Sequence, residues 1–496
     1  MVVAEGARDS QNNPLSSDYV RHVLADQLGE DTRVTILGHV QRGGAPSAYD
    51  RSMASMVGYA AVEQVLSATS GSVPQLVGTT GNRVSTQPLM ECVARTRRLT
   101  ALIEAKDFDA ALTMRGDGYT ELFHVFNSIS HAVPAVRRGG TSSRIAVLNV
   151  GGLAPGMNAA ARVAVRLGLR RGHTMLGVSG GFAGLVDGEV RSMDWGDVDG
   201  WSGRGGACLG VSRKPLSNSD LTGLAKGLRR HTIDALLLIG GWDAFQAAHT
   251  MNAERDRHPE FGIPMICLPA TIDNNLPFSE LSIGTDSALN LIVDSIDRVR
   301  QAGSASRRCF VVETMGGYCG YLALLGGLSG GAVRVYLHEE GITLDDLARD
   351  VKRMVGSFRA GQRLFLTVTN EKANPMYSSD FLCRLFEQES KDLFDARDIV
   401  LGQTQQGGAP TPFDRILATR LAAHSIDWVS NQIQTAGNAH AVIGLHEGAP
   451  RILSLEAAAE LADWEFRRPK NQWWMEIRPL IEALSGRDSV ADPPGD

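Results

Sequence analysis

One stretch of this chain occurs twice. ILGHVQRGGAPSAYDR at residues 36–51 returns as VLGQTQQGGAPTPFDR at residues 400–415. The offset, 400 − 36, is 364 residues. Arg33 and Arg397 stand at the same offset, and AEG at 4–6 roughly matches NEK at 370–372. Solenoid repeats recur every ~20–50 residues, so a shift this long implies a duplicated domain. The copies are unequal. The second opens with RIAVLNV at 144–150 and reaches its GGAP loop near residue 408, whereas the first has only about 40 residues before its own. Met1 falls inside a strand-like MVVAEG, and ordered domains seldom begin there. The chain therefore reads as a C-terminal portion, truncated or with a misplaced start.

Between the linkers and the tail, short apolar runs alternate with amphipathic stretches. ALLLI (235–239), MICL (265–268), CFVV (309–312), RLFLTV (363–368) and AVIGL (441–445) read as buried strands. MNAAARVAVRLGLRR (157–171) and SALNLIVDSIDRVRQ (287–301) read as helices. That alternation predicts an α/β fold of parallel sheets flanked by helices, with function in loops at the carboxyl ends of strands. We expect the end of one half at 1–65, a linker region with a helix at 66–143, a second half at 144–484 and a disordered tail at 485–496. The Gly/Ser/Thr/Pro-rich residues 66–88 read as loop, a helix is expected from about Leu89 to Ala105, and 134–143 read as a linker. Thr314–Val333 is long and uncharged, but its seven glycines after CFVVE favour a strand, loop and helix over a membrane span.

Composition narrows the function classes. A net charge of −6 with no block of like charges gives no support to nucleic-acid or membrane binding. The N-terminus has neither a basic nor an apolar leader region. Six scattered cysteines without CxxC spacing read as reduced thiols of a cytosolic protein. Six strand-end loops remain: GGLAPGMN (151–158), GGACLGVSR (205–213), GGWDAF (240–245), PATIDNN (269–275), ETMGG (313–317) and LGQTQQGG (401–408). Glycine lets backbone N–H groups approach a phosphate. None is a Walker loop, and none places GxGxxG between strand and helix.

The ordered set resembles the phosphofructokinase family, whose pattern runs GGDxPGxN, GGDGS, PxTIDND, VExMGR, GHxQRGGxPxAxDR. The resemblance, to the tandem-duplicated ATP-dependent 6-phosphofructokinases of animals and fungi, extends to PLMECV (88–93) and FRRPKNQWWMEIRPL (466–480). It implies phosphoryl transfer from MgATP to O1 of fructose 6-phosphate, a homo-oligomer that is a tetramer in the family, and a glycolytic role in the cytoplasm. The departures imply that this chain lacks a complete catalytic site. Trp242 stands where the family has its metal-binding aspartate, Asp243 replaces a glycine at the phosphates, Leu153 replaces an aspartate, and Gly317 replaces a phosphoryl-stabilising arginine. Asp273 keeps the position of the catalytic base, as a vestige or a sugar-hydroxyl ligand. No productive Mg²⁺ or ATP binding is expected in the chain alone, and no metal-binding residues are assigned.

The sugar-phosphate side is fuller by the same resemblance. In the second half, Arg213, Thr271, Ile272, Asp273, Asn274, Asn275, Arg308, Met315, Gly316, Gly317, Glu371, Arg397, Gln403, Thr404, Gln405, Gln406 and Arg467 fall on positions of an effector site for fructose 2,6-bisphosphate or a similar sugar bisphosphate. In the first half, Glu5, Arg33, His39, Val40, Gln41 and Arg42 fall on fructose 6-phosphate positions. Arginines of the Arg33 and Arg308 type reach across an interface between halves in the family. Guanidinium groups suit phosphate because their planar donors engage two oxygens at once. The alternative reading is a non-catalytic sugar-phosphate-binding subunit that pairs with a separate catalytic chain.

Overall fold

A computed structural model describes the chain except for residues 10, 12, 30, 131–141, 214–215, 304–306 and 486–496. Most of the expected 134–143 linker and nearly all of the 485–496 tail lie outside the described residues. The chain divides into two units, Met1–Pro46 and Ser47–Asp496.

The first unit holds one α-helix, Ser17–Leu28, and a 3-10 turn, Gly38–Arg42, and none of the residues in either element is buried. MVVAEG does not form the expected strand. A strand is stable only when its N–H and C=O groups pair with a neighbour, and this segment has no such ladder.

The second unit is built on two sheets. We label its strands β1 (Gln75–Thr80), β2 (Arg83–Pro88), β3 (Arg144–Val150), β4 (Thr174–Val178), β5 (Val190–Ser192), β6 (Ala235–Gly240), β7 (Met265–Pro269), β8 (Arg308–Thr314), β9 (Arg334–Tyr336), β10 (Leu364–Asn370), β11 (Asp395–Val400), β12 (His440–His446) and β13 (Ala449–Ser454). The larger sheet runs β13-β12-β7-β6-β3-β4-β5. Its strands from β12 to β4 are parallel, and the two edge strands are antiparallel. The smaller sheet, β11-β8-β10-β9, is entirely parallel. Every residue of β6 and β7 is buried, as uninterrupted apolar runs require when helices cover both faces. Alternate residues of β3 serve different cores. Ile145 and Val147 join the cluster containing Leu421 of the helix Pro412–Gln434, whereas Ala146, Leu148 and Val150 join the one containing Phe245.

The repeat keeps its shape in both copies. The 3-10 turns Gly38–Arg42 and Gly402–Gln406 are followed by N-caps at Ser47 and Thr411, which start the helices Ala48–Ser67 and Pro412–Gln434. Gly38 and Gly402 share a left-handed φ of 50° and 48°. Tyr49 and Phe413, equivalent in the two copies, bring their rings to 5.3 Å. The helix Ala48–Ser67 belongs to the second unit. There Arg51 donates two bonds to Asp297 at 3.0 and 2.6 Å, and the Ala48 N–H donates to Asn290 at 3.0 Å.

Residues 66–88, expected as loop, instead contain the antiparallel hairpin β1–β2. Its turn packs so tightly on the turn after β12 that a Cβ added at Gly81 would lie 2.5 Å from the Glu447 carbonyl carbon. The expected helix is present as Leu89–Glu104. Thr314–Val333 closes β8 and then forms the ten-residue buried helix Tyr321–Gly330. Among the described residues no helix is long and apolar enough to cross a membrane.

Candidate functional site

Strand register brings the conspicuous loops together. Val150 pairs with Gly240 and Gly240 with Pro269, so the loops after β3, β6 and β7 leave the larger sheet side by side. In the smaller sheet Thr314 pairs with Asn370 and Glu313 with Val400, which aligns the loops after β8, β10 and β11. A cavity of about 300 Å³ lies where the two sets face each other. The larger sheet contributes Gly152, Leu153, the turn Gly241-Trp242-Asp243 and the 271–275 loop, and the smaller sheet contributes Gly317, Tyr318 and Gln406. Arg213 and Arg467 complete the wall. The close fit needs glycine at one point. Gly151 has φ +88°, and a Cβ there would lie 3.1 Å from an Asp243 carboxylate oxygen.

Charge in the cavity is mixed. Arg213 donates to the Gln406 side chain at 2.9 Å. The Gly317 N–H donates to Glu371 Oε1 at 2.9 Å, which fixes that carboxylate at the rim. The Asp273 N–H donates to Thr271 Oγ1 at 3.2 Å. Its carboxyl is pushed up to about 7, first by desolvation and then by the negative charges of Glu371 and Asp243, against a smaller pull from Arg213. At neutral pH this group is therefore poised between acid and carboxylate.

Trp242 sits at the carboxyl end of β6, where the helix Trp242–Ala253 begins. Its ring is buried, edge-on to Phe245 at 5.7 Å and to Trp464 at 5.3 Å. The loop thus spends most of this side chain on core packing and leaves only its edge on the cavity wall.

A phosphofructokinase family model matches residues 1–65 and 144–429. The chain belongs to the phosphofructokinase family. Human platelet-type ATP-dependent 6-phosphofructokinase is 41% identical over 498 residues, 98% of this chain and 63% of the relative. The human muscle type is 40% identical over 499 residues, with the same 98% and 63% coverage. The chain spans about 63% of the length of these curated relatives. The solved phosphofructokinase from Saccharomyces cerevisiae superposes with a TM-score of 0.92 at 35% identity, covering 98% of this chain and 66% of that one. The Pichia pastoris enzyme in the T-state gives 0.91 at 32% identity, covering 98% and 57%.

Against this phosphofructokinase fold, the sequence-selected residues separate into groups. Arg213, Thr271, Ile272, Asp273, Asn275, Gly317, Gln406 and Arg467 line the cavity, and Glu371 reaches its edge through Gly317. Asn274 is turned into its own loop, where it donates to Glu280 O at 2.9 Å and accepts from Ser282 N–H at 2.8 Å. Met315 packs on the core, and Gly316, at φ +130°, allows the chain to pass Cys319. Gln403 and Thr404 share the 3-10 turn with Gln405, which is buried and donates to Gly402 O at 3.1 Å.

Arg308 and Arg397 do not converge with Arg213 and Arg467 in this chain. Arg308 opens β8 and Gly317 follows its other end, a separation of roughly 20 Å along the strand. Arg397 is paired instead with Glu387 at 2.7 Å. In the first unit, Glu5, His39, Val40, Gln41 and Arg42 are exposed, and Arg33, 88% exposed at its side chain, faces Asp31 at 3.4 Å.

Tyr318 and Phe466 were not selected from sequence, yet both line the cavity. With His338 they form a triangle of rings, each centroid 4.9 Å from the imidazole and 5.7 Å from the other, and Arg468 lies over Phe466 and donates to Tyr318 O at 2.8 Å. The one available signal was position: Tyr318 directly follows the MGG loop, and Phe466 precedes the paired arginines.

Proposed function

We propose that this chain is the regulatory portion of an ATP-dependent 6-phosphofructokinase and that its cavity binds a sugar bisphosphate effector of the fructose 2,6-bisphosphate class. The whole protein would transfer the γ-phosphoryl group of MgATP to O1 of fructose 6-phosphate. By itself this chain would bind without transferring. The observation that carries the reading is the division of the cavity. Arg213 and Arg467 stand on its wall with amide and carboxyl partners suited to sugar hydroxyls, while at the end of β6 the wall is the mostly buried indole of Trp242, packed on Phe245 and Trp464.

That division argues against MgATP here. A magnesium nucleotide needs oxygen ligands for the ion and open backbone for its phosphates. An indole offers no such ligand, and Asp243 beneath Gly151 places a carboxylate where phosphate oxygens would approach. Asp273, in a cavity without a fitting donor nucleotide, has no phosphoryl group to pass an alkoxide to. Its half-neutral carboxyl instead suits a hydrogen bond to a sugar hydroxyl.

The other residues fit a multi-subunit reading. Glu5, Arg33, His39, Val40, Gln41 and Arg42 would form a fructose 6-phosphate site with chain beyond this sequence. Arg308, half-buried, and Arg397, exposed, would reach across an interface in a homo-oligomer.

Two measurements test the proposal. In a coupled assay with MgATP and fructose 6-phosphate, the chain should show no turnover near the kinase range of about 1–100 per second. Turnover abolished by Asp273→Ala would overturn the non-catalytic reading. In calorimetry, fructose 2,6-bisphosphate should bind, and Arg213→Ala should weaken it at least about tenfold, as loss of a charged hydrogen bond to phosphate does. Absence of binding by the folded chain at millimolar ligand would overturn the effector assignment.

A further inference from the structure

Away from that site, a second cavity of about 460 Å³ opens between β9, the helix Leu344–Arg359 and the helix Arg478–Leu484. Apart from Gly341, every residue that lines it is charged. Four arginines, Arg334, Arg349, Arg353 and Arg478, face four carboxylates, those of Glu340, Asp346, Asp350 and Glu482.

The way these groups are partnered decides what the space can hold. Arg478 makes three hydrogen bonds. It donates to both oxygens of Glu340, at 2.7 and 2.9 Å, and to Val335 O at 3.2 Å. Asp346 caps its helix by accepting from Thr343 N–H and Oγ1, and it also pairs with Arg349. Asp350 accepts from the Tyr336 hydroxyl at 2.9 Å and faces Arg334 Nε at 2.8 Å. The carboxylates of Glu340, Asp346 and Asp350 are thus committed.

Two of the guanidiniums keep donors to spare. Arg334 is only 7% exposed, and its protein partners are Asp350 and the Tyr336 ring, whose centroid lies 4.7 Å away. These do not exhaust a guanidinium's donors. Arg353 comes no nearer to Asp350 than 3.9 Å, and its buried Nη1 has no hydrogen-bond partner. Arg349 stands one helical turn before Arg353, so two like charges share one helix face. Unmet donors of this kind cost free energy unless a ligand or water accepts them.

We infer that this cavity is a binding site for a small oxyanion, an inorganic phosphate or phosphate monoester, held by Arg334 and Arg353 with Arg349 at its mouth. Planar donors from two guanidiniums match the oxygens of one phosphate. Glu482 borders the same space and disfavours a longer polyphosphate. The inference rests on none of the residues assigned to the effector cavity.

The test is a calorimetric titration of inorganic phosphate at fixed ionic strength into the full chain carrying Arg213→Gln, which weakens binding in the first cavity. Saturable binding is expected. Adding Arg353→Gln should weaken it about tenfold or more. Arg349→Gln, at the more exposed position, should weaken it severalfold without touching the buried ion pairs. No saturable binding in the Arg213→Gln chain would overturn the site, and so would binding unmoved by both further substitutions.

Discussion

Asp273 carries the clearest pH consequence at the scale of single residues. An aspartate ordinarily titrates near 3.8, and here desolvation raises it to about 7. A carboxyl whose folded value is raised favours the folded state fully below its unfolded value and loses that contribution as pH rises through the folded one. The melting temperature should therefore fall from about pH 4 to about pH 7, and more steeply in the native chain than in Asp273→Asn. Thermal melts across that range check this. Equal slopes would mean that the Asp273 carboxyl is not desolvated in solution. The same substitution leaves the hydrogen bond from the Asp273 N–H to Thr271 intact, so loop geometry is not the variable.

At the scale of elements, Asp414 shows how the repeat acquired a structural duty in one copy. Its carboxylate is fully buried and accepts from Gly284 N–H at 2.8 Å, Ser287 N–H at 2.8 Å and Ser287 Oγ at 2.6 Å. It thereby ties the helix Pro412–Gln434 to the start of Thr285–Gly303. Asp50, its equivalent, is exposed and bonds only locally to Ser47, at 3.1 and 2.8 Å. Asp414→Ala should lower stability by about 3 kcal/mol, because buried donors lose their acceptor. Asp50→Ala should cost about 1 kcal/mol, the usual cost of a cap. Urea denaturation of the two variants gives the comparison, and equal losses would contradict it. The hairpin β1–β2 offers a second element-scale test. Gly81→Ala adds a Cβ against the Glu447 backbone at a left-handed φ of 62°. Proteolysis within 75–88 should become faster, while the melting of the sheets stays nearly unchanged.

At the scale of the whole molecule, the division after Pro46 matters most. The first unit's helix and turn have no buried residue, whereas the helix Ala48–Ser67 is held by Asp297 and Asn290. Limited trypsinolysis should thus cut early at Arg33 or Arg42 and leave a fragment that begins near Ser47. A composition-based boundary would have placed the loss at residues 1–88. A first stable fragment beginning after residue 88 would show that the ion pair at Arg51 does not hold that helix. The expected lack of kinase turnover belongs to this scale too, since family activity is a property of the longer relatives.

The sequence by itself determined the features that depend on neighbours along the chain. Uninterrupted apolar runs specified β6, β7 and β8, since a strand covered on both faces needs no polar alternation. The 36–51 and 400–415 repeat specified two turns and two capped helices of the same shape, because glycine and cap residues act locally. The ordered strand-end loops indicated the cavity for the same reason, as parallel strands present their carboxyl ends together. Only the tertiary structure decided what depends on partners distant in sequence. MVVAEG has strand composition but no strand to pair with. Residues 66–88 have loop composition, yet they pair with each other and dock on the turn at Glu447. Trp242 could be read as a lost metal ligand, but its packing on Phe245 and Trp464 was settled by a segment more than two hundred residues away. Arg308 shares its strand with the MGG loop, and the rise of that strand is what carries it out of the cavity.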